Sequence, residues 1–454
     1  MNLKKSLLAI PLSVSLLIPT TSMVSAHGNG HGTATHTMEA PSVSTPATEL
    51  RAALDALLSE HAYLAVVAMQ KGIDGSGDFE AVAGALNQNT ENLAKAVETV
   101  YGAEGAAQFK TIWSSHIGYF VDYVKATGAN DQAAKDKALA DLDQYRVEQA
   151  AFFETATGGK LKANELEEGL KVHINQLLWA FDNYVADDFD KTYDSVRESL
   201  HHMFGFSKGL SWAITEQFPD KFENTSVATP AAELRSTLNH LLAEHAALAI
   251  LAMQKGIDGA DDFEAASDAL NKNTEDLSKA IESVYGKEGA AQFKEIWSSH
   301  IGYFVDYVVA TGAKDEASKE KALKELDEYR VKQAKFLETA TEGRLPAAAL
   351  EEGLKMHVDE LLLAFNSYVE KDYTTTYQTA HEAYNHMFEV AKGLSGAIVD
   401  QFPDKFHSEM PSDMPKTGLG GMSGNVSPFM WFLALTTLAT LAVGFVLSRK
   451  LDNR

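Results

Sequence analysis

The sequence predicts an all-α protein in which one helical module is used twice. Apolar residues recur at helical spacing throughout the body of the chain, and strand-like alternation never lasts. An offset of 184 residues aligns 46–222 with 230–406 without a gap. Repeats of that length are whole domains, not solenoid units of about 20 to 50 residues. Short connections between helical stretches imply antiparallel neighbours. The expectation is therefore two tandem six-helix up-and-down bundles, over 46–224 and 230–408.

Residues 1–26 read as a secretory signal peptide. Lys4 and Lys5 precede an apolar run from Leu7 to Ile18, and Val24-Ser25-Ala26 offers the small residues a signal peptidase accepts. A Ser/Thr/Pro-rich leader, 27–45, follows, and its composition predicts disorder. His27, His31 and His36, with Met38, make it a loose capture site for copper or zinc on composition alone.

Thr45-Pro46 opens the first helix with a capping residue and a proline at its first position. Leu50, Leu54, Leu57, Leu58, Leu64 and Ala68 share one face of it, and Gly72 stops it. The second helix begins near Asp78 and ends at Tyr101-Gly102. The third spans about 104–127, the fourth about 131–157, the fifth 163–185 and the sixth 189–217. Asp78, Asp131 and Asp188 stand where they would cap returning helices, which gives each module three hairpins of common plan. Gln217-Phe-Pro-Asp-Lys-Phe222 recurs at 401–406 and is expected to close each bundle. Gly72-Ile-Asp-Gly75 is a turn, too short for a calcium loop. Trp113 and Trp179 read as packing residues.

One twelve-residue stretch, Trp113 to Val124, recurs unchanged from Trp297 to Val308. Ile112, Tyr119, Phe120 and Tyr123 form a stripe at helical spacing, and His116 lies inside it. His61, His116 and His173 follow one another at 55 and 57 residues, one per hairpin. The returning helices place Asn92, Tyr145 and His202 at equivalent positions. His61, His116, His173 and His202 are matched by His245, His300, His357 and His386, whereas other histidines drift. His201 becomes Asn385, Arg197 becomes His381, and Asn239-His240 stands against Asp55-Ala56.

A buried polar group without a partner costs about 1–3 kcal/mol. The histidines therefore need partners: one another, Tyr119, Tyr123, Glu198, water, or a ligand. Two readings stay open, a network of satisfied core imidazoles and a site for haem or a transition metal such as copper, zinc or iron. Glu198-x-x-x-His202 is neither the Glu-x-x-His of ferritin-like di-iron sites nor the hemerythrin pattern.

The 454 residues carry a formal net charge of -24, which argues against a nucleic-acid partner. No cysteine is present, which removes disulfides, thiolate metal sites and cysteine nucleophiles together. No His-Glu-x-x-His, phosphate loop or Ser-His-Asp arrangement stands out. Copper amine oxidases build their quinone from a Tyr in Thr-x-x-Asn-Tyr-Asp/Glu and use a His-x-His pair. Asn183-Tyr184-Val185 lacks the Thr and the acid, Ser367-Tyr368 replaces it in the second copy, and no His-x-His occurs. The chain is not expected to be an enzyme.

The C-terminal part holds a linker, 409–427, containing Met414-Pro415-Lys416-Thr417-Gly418. An apolar segment, 428–448, is long enough to cross a bilayer, and a basic tail, 449–454, follows it. This order resembles the cell-wall sorting signal of Gram-positive surface proteins, whose usual pentapeptide is Leu-Pro-x-Thr-Gly; Met414 stands in place of the Leu. The resemblance implies cleavage by a sortase between Thr417 and Gly418 and covalent attachment of Thr417 to peptidoglycan, outside the cell. What the modules do there is either to bind a ligand through the core histidines or to act as a structural or adhesive spacer. Helices of about 25 residues are near 38 Å long, so two modules in tandem would hold the N-terminus well away from the anchor.

Overall fold

The computed structural model describes residues 40–407, and every regular element within that range is helical. The signal peptide, most of the leader, the sorting motif and the apolar segment near the C-terminus lie outside the described residues.

The first repeat comprises α1 (Pro46–Ile73), α2 (Phe79–Gly128), α3 (Gln132–Ala156), α4 (Ala163–Val185) and α5 (Phe189–Gln217), closed by a 3-10 turn at 219–222. The second comprises α6 (Pro230–Asp258), α7 (Phe263–Ala313), α8 (Glu316–Ala340), α9 (Ala347–Val369) and α10 (Tyr373–Gln401), closed by the four-residue α11 (Pro403–Phe406). α1 begins as expected: the Thr45 and Thr48 side chains form a reciprocal capping box and Pro46 fills the first turn.

The expected second and third helices are the two arms of α2. Gly102 sits between them at φ 75°, ψ 176°, a conformation open essentially to glycine alone, and Gly286 repeats it in α7. Glu91 and Lys110 pair at 2.5 Å across the arms. Nineteen residues apart on a continuous helix, they would stand about 28 Å from one another. The arms therefore run side by side.

The capping expectation holds at Asp131, which accepts from the Ala134 amide at 3.0 Å. It fails at Asp78 and Asp188, which make no side-chain cap. Asp78 is held instead by Lys71 at 3.0 Å, both side chains buried, and Asp188 by Lys191. Gln217 closes the bundle by accepting from the Tyr101 hydroxyl and donating to the Ala156 carbonyl, and Gln401 does the same with Tyr285 and Ala340. Trp113 is a core residue; Trp179 is 53% exposed, against its expected packing role.

The repeats lie against each other, with α1 touching α6, α5 touching α7, and α10 touching α2. One apolar core runs through both. The contacts are reciprocal, as in a twofold pair. Arg51 grips Glu233 and the Val227 carbonyl, while Arg235 grips Glu49 and the Val43 carbonyl. The Tyr193 hydroxyl donates to Asp262 at 2.8 Å, and that of Tyr377 to Asp78 at 2.7 Å. Two bundles side by side reach little further than one, which shortens the reach expected of two modules in tandem.

The side-by-side arrangement also explains the apolarity of α1. It is the one described helix long and apolar enough to cross a membrane, but 83% of its most apolar window is buried inside the fold. Burying each Leu or Val of that run contributes about 1.5–3 kcal/mol.

Candidate metal centre

His61 comes from α1, His116 from the second arm of α2 and His173 from α4, and all three are buried. Each offers a ring nitrogen lying within 4.8 Å of the others'. The His61 and His116 Nε2 atoms stand 3.1 Å apart. The His173 ring centroid is 5.9 Å from that of His61 and 6.4 Å from that of His116. His245, His300 and His357 repeat this arrangement, with 3.2 Å between the Nε2 atoms of His245 and His300. Trp113 forms one wall, 4.8 Å from the His61 ring. Tyr145 of α3 stacks on His116 at 4.5 Å and forms another.

The hydrogen bonds define the tautomers. His116 Nδ1 faces the Trp113 carbonyl, which only accepts, so Nδ1 carries the proton. In the neutral ring the Nε2 lone pair then points into the trio. A backbone carbonyl holding the far nitrogen of a histidine is also how metal ligands are oriented. His61 donates Nε2–H to that lone pair, which leaves its own Nδ1 without a protein partner. His173 has no protein partner at either nitrogen, and the same holds for His357.

Burial keeps these rings neutral. It pushes His116 down to about 3 and His300 to about 4, each partly offset by its bond to a Trp carbonyl. Burial, with the neighbouring imidazoles second, holds His61, His173, His245 and His357 well below the usual histidine range. Each trio thus presents neutral nitrogen donors at any ordinary pH, and no carboxylate belongs to either group.

The arrangement fits a single ion. With metal–nitrogen bonds of about 2.0–2.1 Å, ligand nitrogens lie about 3.3–3.6 Å apart in tetrahedral or trigonal sites. The His61–His116 separation is already near that value, and an ion between them would displace the His61 proton from Nε2 to the unpartnered Nδ1; the His173 donor lies within 4.8 Å of both. Haem does not fit: it needs an imidazole facing a flat macrocycle, and the histidine, Trp113 and Tyr145 rings fill that space by contact with one another.

His202 and His386 stand outside the trios. His202 Nε2 donates to the Gly169 carbonyl at 2.9 Å, and His386 pairs with Glu360 at 2.9 Å. Of the other expected partners, the Tyr123 hydroxyl donates to Asp182, Glu198 is exposed, and Tyr119 is half-buried. Asn92 accepts from Gln88 on its own helix. Sequence reasoning did not anticipate Trp113 and Tyr145 as the walls of the trio. The signal for Trp113 lay in its place three residues before His116 inside the unchanged stretch.

The histidines that drift lie between the repeats. His201 and His240 approach at 4.9 Å between ring centroids. Arg197 pairs with Glu244 and Asp276, where the matching His381 pairs with Glu60. Comparison of the chain with protein-family models, with curated proteins and with solved structures found no match in any of the three.

Proposed function

We propose that this chain is an exported surface protein, joined to peptidoglycan through Thr417, whose two repeats are binding modules for one transition-metal ion each. His61, His116 and His173 are the ligands in the first module, and His245, His300 and His357 in the second. One observation carries the metal reading: three buried neutral imidazoles converge, and His173 offers two ring nitrogens with no protein partner. A purely structural network would be expected to satisfy them, because each unpaired group costs about 1–3 kcal/mol. The spacer alternative loses support from the side-by-side packing of the repeats. The surface address rests on the sequence alone, through the signal peptide and the order of sorting motif, apolar segment and basic tail.

Two measurements test this. Elemental mass spectrometry of the purified full-length chain, after dialysis against a mixture of first-row metals, should find two ions per chain. His116→Ala should leave one, and an unaltered count would refute the assignment. Thr417→Ala should move the protein out of the peptidoglycan-bound fraction, and persistent covalent attachment would refute the anchor.

A further inference from the structure

The second trio is not sealed. A cleft of about 190 Å³ between α6, α7 and α9 has His245 and His300 among its lining residues. Asn271, Val305 and Val309 stand exposed at its mouth, and Val309 is 64% exposed. The wall is otherwise mostly apolar, with Phe263, Leu270, Phe304 and Val308. The one soft donor on it is the thioether of Met253. The matching residue of the first repeat is Met69, so both copies keep a sulfur two turns beyond the α1 or α6 histidine. At the mouth the copies differ: Val309 answers to Lys125, an exposed cation.

Resting on the metal reading above, we infer that the trios take copper in its monovalent state, and that the cleft past Met253 is its route to the second trio. Three features converge on this. First, the donors are neutral, so the ion keeps its whole charge in an apolar surrounding. The cost of burying that charge grows with its square, so a divalent ion is opposed about four times as strongly as a monovalent one. A divalent ion in such a place would call for a carboxylate, and none belongs to either trio. Second, three nitrogens are enough for a singly charged d10 ion, which imposes no demand for a fourth or fifth ligand. Third, a thioether is a soft ligand that selects Cu(I) and gives a hydrated divalent cation little reason to leave water. The Lys125 ammonium at the corresponding place in the first repeat repels an approaching cation, so the second trio fills first.

The test uses the full-length chain in detergent, under anaerobic conditions, with Cu(I) supplied as its bicinchoninate complex in the presence of ascorbate. Loss of the coloured complex should show two Cu(I) taken up per chain in two phases. A hundredfold molar excess of Zn(II) should displace neither. Val309→Lys, a surface change remote from the ligands, should slow the fast phase about tenfold without altering the final count. Met253→Leu should slow the same phase. If Zn(II) fills both trios and expels Cu(I), the monovalent assignment is overturned while the metal reading stands. If neither ion binds, both fall. If loading rates in Val309→Lys and Met253→Leu equal the parent's, the cleft is not the route.

Discussion

Replacing His173 with leucine separates a metal ligand from a structural residue, because the two roles predict opposite signs. The imidazole is buried and its ring nitrogens meet no protein partner. Leucine has similar bulk and no polar atom, so the exchange removes an unsatisfied group without opening a large cavity. At about 1–3 kcal/mol for such a group, metal-free His173→Leu should be more stable than the parent by that amount. For a unit the size of one repeat, each kcal/mol is worth about 2–4 °C in Tm. With metal present the order should reverse. An ion at a thousand times its Kd stabilises a site by about 4.1 kcal/mol, and the variant forgoes this at the first trio while keeping it at the second. Urea unfolding of the full-length chain, with a chelator and then with metal, reads both effects, and elemental analysis should find one ion where the parent holds two. A metal-free variant less stable than the parent by 1 kcal/mol or more would show that the ring satisfies a structural need. Two ions still bound would show that it is not a ligand. Either result defeats the reasoning.

Asp55 is fully buried and accepts from Ser236 of the other repeat at 2.9 Å, and burial pushes its carboxyl from 3.8 up to about 6 despite Arg51 and its hydrogen bonds. Stability is thus highest below the unfolded value of 3.8 and falls as pH rises toward 6, by about 3 kcal/mol. Asp55→Asn should recover about that much at pH 7.5 and little at pH 4 in urea unfolding, whereas equal gains at both would contradict it. His381 is pulled down by burial, but its hydrogen bond to Glu60 and that carboxylate's charge outweigh this, and its value rises. Its contribution is complete below about pH 6.5 and is lost as pH rises through the folded value. His381→Arg, copying Arg197 of the first repeat, should flatten that loss, so unfolding midpoints of parent and variant should diverge as pH rises above about 6.5; parallel curves would exclude it. Gly102→Ala meets no atom within 4 Å of the added Cβ, so only backbone strain opposes it. About 1–3 kcal/mol of destabilisation is expected, and an unchanged midpoint would mean that the turn between the α2 arms is not as described.

The helices were legible because local chemistry sets their ends. Thr45 and Pro46 start α1 and Gly102 turns the chain, all without help from distant residues. Asp78 shows where this stops. By position it is a cap, but Lys71 from the end of α1 and Tyr377 from the other repeat claim its carboxylate. Periodicity assigns a residue to a face but not to a depth along the bundle. His61, His116 and His173 share a level in the core, whereas His202, only half-buried, meets the Gly169 carbonyl instead. Nor does periodicity say which face meets a second bundle, so the reciprocal contacts between repeats were beyond sequence reasoning.

Those contacts explain which positions drifted. In a twofold pair, residues near the axis meet their own counterparts, so an identical ionisable group would face its like. Asp55 answers to Asn239, which avoids two buried carboxylates at one place. Arg197 meets Glu244 across the interface where His381 meets Glu60, so the partner was held while its cation changed. The trios lie inside their own bundles and face no such constraint, and the residues around them are held with them. One turn either side of the histidine on α1 and α6, Leu57, Leu58, Leu64 and Ala65 recur as Leu241, Leu242, Leu248 and Ala249, and the walls Trp113 and Tyr145 recur as Trp297 and Tyr329. Tyr63, two residues beyond His61 and so on another face of α1, stacks on Tyr384 of the other repeat, and there the second copy has Ala247. Change is found where the repeats meet and not where the imidazoles converge. An apolar side chain of like volume would cost less to bury than an imidazole without a partner, and neither copy has made that exchange. What was retained is the ring nitrogen, the group through which a metal would bind.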